Sequence, residues 1–586
     1  MTTGTEAVRR RRVRLTPVPS IPVEFTGERG GEGPLTLGQL DVYTWTNSTP
    51  GHPYAVLGVE LPVPATASAG DVAAAVAALI ARHEALRTAY VPGDQPRQRV
   101  AGSDYVPGER PRQRVAASGV LVVEACSLGE GEWGPGDRPA VAGALVRWLR
   151  ESPDPGRRPV RVVVAISGDR VIACAAGITH LAVDHGAIEV LKRDFAGLLA
   201  RPGRRLAGRP GRQPLDQAEL EATQAERARA DEALDYLRGQ FRRIPRCLYA
   251  LPGARPTGES LAVELSSPAA ALAVRQVAAR TRASPSTVVL AAVCAVVARR
   301  AGYRELVLPL VSSNRFEPHL EGYVGALSQN AVATVEVAGR SFDWLVRHAR
   351  MRVAEASRLA RYDAARRDAM NERIEHERGL RFNYDPLFND LVPHDGLLPD
   401  GLTRTELRWR PMPVNGSPLR FSLNQVDGCL RLDAWSGDAG LLPRAELESA
   451  LLAVERLLVA AAPGDVAAGQ VPEAIGLEPI AASPDRVLAD SCWVSVADVQ
   501  RLVEEAAAPA VARVFASAGG RPLVACLTAT DAVRTPEQAH ARCMAALARH
   551  PTAITPQHYV ICPTAPPDPA DLAAWPPPLA AGTGRA

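Results

Sequence analysis

Two long runs of this chain alternate strand-like and helical hydrophobic patterns, and the stretch RPGRRLAGRPGRQPL at 201–215 separates them. Such alternation dictates an α/β architecture, and a segment this rich in arginine, glycine and proline ends a packing unit. The first run holds DVAAAVAALIARHEALRTAY, with apolar residues at helical spacing before it turns extended, and then RPVRVVVAI, the turn SGDR and VIACAAG, a strand pair. The second opens with the polar helical pattern DQAELEATQAERARADEALDYLRGQF and the extended ESLAVELS. ASPSTVVLAAVCAVVARRAG then reads as an apolar helix capped by serine and stopped by Gly302. Strand patterns return in ELVLPLVSS, AVATVEVAG and LRFSLNQVDGCLRLDAWSG, around the helix FDWLVRHARMRVAEASRLARYD.

These patterns predict lobes over 33–215 and 216–462, a linker over 463–487 and a small α+β module over 488–565. The ends, 1–32 with its RRRR cluster and the proline-rich 566–586, read as flexible tails. YVPGDQPRQRVA at Tyr90 recurs as YVPGERPRQRVA at Tyr105, and each copy carries a Pro-Gly turn, so the pair reads as a duplicated hairpin tip.

Composition narrows the function. The 586 residues carry a net charge of +3, too little to argue for nucleic acid, and the arginines are not striped with aromatics. No apolar run approaches the roughly 18 residues that span a bilayer, and the N-terminus lacks a signal's apolar core, so no membrane is expected. Nine scattered cysteines at no CxxC spacing indicate neither disulfides nor a metal site and suit a reducing cytoplasm. Lys192 is the only lysine, so no GxxxxGK[ST] phosphate loop exists and a lysine-based mechanism would have to use that residue.

One junction concentrates chemistry: VIACAAGITHLAVDHGAIEVLKRDF runs from a strand through His180, Asp184, His185 and Gly186 into a helix. A histidine at a strand mouth titrates near neutrality and can deprotonate an attacking amine or hydroxyl. Asp184 fits two roles, pairing with that imidazole or turning away to an arginine to hold the loop. The spacing alone equally suits a half-buried histidine beside a helix-starting aspartate.

Further motifs surround the junction in order: LTLGQLDVYTW with Gln39, ARHEALRTAY with His83, Glu84 and Arg87, SSNRFEPHLEGYVGALSQNAV with Arg315, Val324 and Gly325, and LRFSLNQVDGCLRLDAWSG. Together they resemble the condensation domains of nonribosomal peptide synthetases, of the chloramphenicol-acetyltransferase-like superfamily, over roughly 33–462. That family carries HHxxxDG at the junction. Here Thr179 stands at its first histidine, His180 at the second, Asp184 at the aspartate and His185 at the glycine, with Gly186 following. The resemblance implies two acetyltransferase-like lobes forming a V-shaped pseudodimer, and amide or ester formation between acyl or aminoacyl donors and nucleophilic acceptors.

In that scheme His180 is the catalytic base, and Asp184 is structural with Arg87 as its expected partner. Thr179 and Gly186 shape the loop, while His185, Asn330 and Ser422 line the substrate channel. The partners implied are peptidyl or acyl carrier proteins bearing 4'-phosphopantetheine, with no cofactor intrinsic to the chain, and the enzyme would be free-standing and cytoplasmic. Two other readings stay open: an acyltransferase of this fold using coenzyme A thioesters, or a silent docking protein, as Thr179 and His185 suggest. The C-terminal module is similar, more loosely, to the small subdomain ending adenylating enzymes, without that subdomain's lysine.

Overall fold

The computed structural model describes residues 13–49, 52, 54–93, 110–129, 133–151, 159–201, 206, 211–249, 251, 254–392, 403–411, 418–480, 486–517 and 521–585. Most of the YVPG duplication lies outside them. Helices and strands are mixed throughout, and the chain divides into two units. The first comprises Met1–Arg229, Ser313–Gln329 and Asp363–Ala365, and the second Ala230–Ser312, Asn330–Tyr362 and Arg366–Ala586.

In the first unit a five-stranded sheet runs in the order Leu15–Thr26, Ser118–Leu128, Val160–Ser167, Arg170–Thr179, Val56–Leu61. The Arg170–Thr179 strand is buried nearly throughout because both its faces are covered. Val171, Cys174, Ala176 and Ile178 join a core with helices Ala69–Arg82 and His185–Leu199, while Ala173 and Ala175 join one with helix Arg138–Glu151. The Ala69–Arg82 helix begins at a capping box, in which Ser68 Oγ accepts from Asp71 N and Asp71 reaches back to Ser68 N.

The second unit repeats the central pattern. Leu261–Ser267 lies antiparallel to Leu430–Ser436, which is antiparallel to Leu419–Gln425, itself parallel to Leu387–Asp390. The first unit's strands Val56–Leu61, Arg170–Thr179, Val160–Ser167 and Ser118–Leu128 follow the same senses in the same order. Helix Pro285–Ala301 fills the second core; Ser284 Oγ accepts from Thr287 N at its start, and Gly302 ends it at φ 81°. The two-lobe α/β expectation holds.

Several boundaries differ from the sequence reading. Residues 1–32 were expected as a tail, yet Leu15–Thr26 is an edge strand paired with Ser118–Leu128. Its prolines at 17, 19 and 22 suit an edge, where missing N–H groups cost little. The 463–487 linker contains a helical turn, Val471–Ile475, and buries Val466, Val471 and Ile475 on the second core. In the expected tail at 566–586, Ala580–Gly582 closes the sheet Ala512–Ser517, Arg521–Thr528, His558–Cys562.

The C-terminal module shares one hydrophobic core with Leu234, Leu237, Phe241 and Phe382. Two buried arginines bind it to the rest of that unit. Arg246 donates to the carbonyls of Leu547 (2.8 Å) and His550 (3.1 Å), and Arg378 to those of Phe241 (2.6 Å) and Ile244 (2.7 Å) and to the Asp490 carboxylate (2.8 Å). Bridging several carbonyls with one planar cation satisfies loop ends that would otherwise be buried unpaired.

Candidate functional site

The strand Arg170–Thr179 ends where its neighbours still hold it. Thr179 N–H donates to the Pro159 carbonyl and His180 N–H to that of Ala55, both at 2.9 Å. A four-residue turn then leads to Asp184, the N-cap of helix His185–Leu199, whose Oδ1 accepts from Ala187 N at 2.8 Å. This fixes the loop at both ends and presents His180 at the strand mouth.

The His180 ring stands edge-on to Trp45, centroids 5.8 Å apart and planes at 78°, and Trp45 in turn meets His52 at 4.6 Å. Its Nδ1 is buried with no hydrogen-bond partner. Such a nitrogen costs about 1–3 kcal/mol, which makes this imidazole an uneconomical choice for structure alone. Nothing in the sequence pattern marked Trp45 as the ring neighbour of His180, although it lies inside the LTLGQLDVYTW motif, six residues after Gln39 on the same helix, Leu37–Ser48.

Asp184 is 1% exposed and its carboxylate is saturated. Arg315 Nη2 donates to Oδ1 at 2.6 Å, Leu327 N and Ser328 N donate to Oδ2 at 2.9 and 3.2 Å, and Ser328 Oγ also reaches Oδ2 at 3.2 Å. Burial alone would push this carboxyl up, but the Arg315 guanidinium and the backbone N–H groups outweigh it and hold it below its usual range. Arg315 is itself anchored on the carbonyls of Tyr323 (2.8 Å) and Gly325 (3.0 Å). Thus the segment Ser313–Gln329 belongs to the first unit although the second lobe surrounds it in sequence.

The expected partner, Arg87, is not the one the structure uses. Its guanidinium donates to the carbonyls of Arg29 and Ala116, and a Cβ at Gly27 would lie 2.4 Å from its Cζ, so this arginine is consumed in closing a different loop. Neighbouring motif residues are equally committed: Glu84 pairs with Arg29 at 2.6 Å, and His83 Nε2 with Asp194 at 3.0 Å. Gln39 serves a capping box with Thr36 and reaches Gln113 at 3.2 Å.

Gly186 is required, but for space rather than for backbone conformation. It sits in the first helical turn, and a Cβ there would come 2.4 Å from Arg315 Nε. His185 is the first residue of that helix and is exposed. Thr179 is placed through its backbone, which also accepts from Ala182 N at 2.9 Å. The structure therefore assembles Thr179, His180, Asp184, Gly186 and Arg315 into one loop. Asn330 and Ser422 belong to the second unit: the Asn330 carbonyl accepts from Tyr362 Oη at 2.8 Å, and Ser422, buried, accepts from Arg420 Nε at 3.2 Å. Among the described residues no single helix is long and apolar enough to cross a membrane.

No family model matches the chain. It is 28% identical over 401 residues to phosphinothricin tripeptide synthetase PhsC of Streptomyces viridochromogenes, a match covering 66% of this chain and 35% of that protein. The chain thus spans about a third of the length of the curated relative it matches. Among solved structures, it is similar to the condensation domain that mediates chain release from the enacyloxin polyketide synthase, with TM-score 0.57 and 20% identity over 75% of this chain and 84% of that one. The first condensation domain of the calcium-dependent antibiotic synthetase follows with TM-score 0.53 and 19% identity, covering 74% and 98%. The X-domain from teicoplanin biosynthesis, in its complex with OxyB, gives TM-score 0.53 and 18% identity over 75% and 95%. Two lobes of matching strand order, a His180 loop closed by Asp184 and Arg315, and these likenesses agree: the chain has the condensation-domain fold.

Proposed function

We propose that this chain is a condensation-type acyltransferase that joins an acyl or aminoacyl thioester to an amine or hydroxyl acceptor, both substrates being delivered on phosphopantetheine arms of partner carrier proteins. The observation that carries the reading is His180, an imidazole at a strand mouth with Nδ1 buried and unpartnered, on a loop whose shape is held by a saturated carboxylate. A ring so placed works through Nε2. It accepts the proton of the acceptor nucleophile as that atom attacks the thioester carbonyl, and the collapsing adduct releases the phosphopantetheine thiolate, which takes up the proton. Asp184 acts only through the loop, since its oxygens are occupied by Arg315, Ala187, Leu327 and Ser328.

A second reading has its own support. Thr179 replaces a histidine, His185 stands exposed where the resemblance expects glycine, and one of the similar folds is an X-domain solved with a protein partner. On that reading the chain binds and does not turn over. Mass spectrometry of the intact chain mixed with panels of loaded donor and acceptor carrier proteins separates the two. A new amide or ester on any carrier supports catalysis, and carrier binding without product across the panel supports docking.

A further inference from the structure

At the end of strand Leu430–Ser436 the second unit holds a cavity of about 180 Å³. Among the described residues it is lined by Leu419, Leu441 and Leu442 with Cys247, Tyr249, Asp385 and Asp438. Two of these polar groups are left unsatisfied. Asp385 is 1% exposed and its Oδ1 has no hydrogen-bond partner; Tyr249 is 5% exposed and its hydroxyl has none. Buried polar groups of this kind are rare, and two in one cavity mark a place built to meet a ligand.

The lining fixes the chemistry. Among the described residues it holds two carboxylates and no cationic side chain, so an anion is disfavoured. Among the described residues no three His, Cys, Asp or Glu side chains converge as metal ligands, which removes Cys247 and Asp385 from consideration as a metal site. The remaining walls are leucine and proline, with Gly437 and with Asn383, whose amide Nδ2 is taken up by the Arg246 carbonyl, and the leucine side suits a short carbon chain. At roughly 30 Å³ per water-sized group the space takes about six non-hydrogen atoms.

We propose that this cavity binds a small primary alkylammonium ion, its charged head on Asp385 and Tyr249 and its carbon chain against Leu419, Leu441 and Leu442. The groups facing Asp385 are Arg246, Cys247, Tyr249 and Tyr303, with Asp438 in the same lining. The two terminal nitrogens of Arg246 donate to the carbonyls of Arg381, Leu547 and His550, its Nε having no partner, and burial pushes the Cys247 thiol up to about 12 and both tyrosines higher, so Asp385 is the group that changes charge near neutrality. Burial raises it to about 7, opposed by the Leu248 and Asp385 backbone N–H groups and by Arg246. Its ionised fraction therefore rises about tenfold between pH 6 and pH 8.

The test is calorimetric titration of n-butylammonium chloride into the full chain, with butan-1-ol as the uncharged isostere. The expected result is saturable one-site binding at pH 8, about tenfold weaker at pH 6, lost in Asp385→Asn and weakened severalfold in Tyr249→Phe while both variants keep the wild-type circular dichroism. Butan-1-ol binding as tightly as the cation, unchanged affinity in Asp385→Asn, or no saturable binding of the cation at pH 8 would each overturn the proposal. No carrier protein enters this experiment, so its failure leaves the reading of His180 untouched.

Discussion

The two lobes build the same strand-to-helix junction and fill it differently. In each, a residue at the end of the return strand, the last one in the first lobe and the one just past it in the second, donates its N–H to a proline carbonyl that precedes the neighbouring strand: Thr179 to Pro159 at 2.9 Å, Gly437 to Pro418 at 3.0 Å. The next residue is His180 in the first lobe and Asp438 in the second. Asp438 collects the N–H groups of Thr257, Gly258 and Gly440 at 2.8–2.9 Å, holding its own loop. In the first lobe that structural task falls to Asp184, four residues further on, with Arg315 neutralising it. Moving the loop-holding carboxylate away from the strand end frees that position for an imidazole. The common fold supplies the place, and the residue that stands there differs between the lobes.

The largest effect that sharpens this contrast is expected from Arg315→Ala, which leaves Asp184 buried without its cation and should cost about 3–5 kcal/mol in urea unfolding. The pH dependence follows from Asp184 being held below its usual range: its contribution is present above the unfolded value of about 3.9 and is lost as pH falls through the lower folded value, so the gap to wild type should close in acid. Gly186→Ala pushes a methyl against Arg315 and should cost about 1–3 kcal/mol in the same measurement. An unaffected Gly186→Ala would break the claim that close approach, not glycine's backbone freedom, sets that position.

The second lobe should answer with the opposite sign. Asp385 is raised to about 7, so the stability it allows is full below about 3.9 and declines as pH rises toward the folded value. Asp385→Asn should therefore be more stable than wild type at pH 8 in urea unfolding, with the difference vanishing near pH 4. The smallest effect is expected from Asp438→Ala: about 1 kcal/mol, because water can reach the loop N–H groups it releases.

The sequence made the His180 junction legible because strand, turn and helix cap are consecutive and each has a local signature. Asp184 as a helix-starting carboxylate could be read from spacing alone. Its partner could not, because Arg315 lies 131 residues away and only the folded chain decides which of several motif arginines arrives. Arg87 was the plausible choice, yet Gly27 opens a slot for it elsewhere. Trp45 was invisible for the same reason, being brought to His180 by a helix from another part of the lobe, with His52 packed on its ring. At the termini, proline content suggested tails; edge strands tolerate proline, so composition misled where pairing partners decide. The Asp385 cavity had no sequence signature, since Cys247, Asp385 and Leu441 converge from three distant segments.

The most direct test of the central claim compares wild type, His180→Ala and Asp438→Ala in one assay, product formed per unit time from a loaded donor carrier and an acceptor, read by mass spectrometry at neutral pH. His180→Ala is expected to lose a factor of about 100–10,000 with its unfolding transition unchanged, while Asp438→Ala stays close to wild type. Undiminished product from His180→Ala would contradict that claim, even with every element of the fold in place.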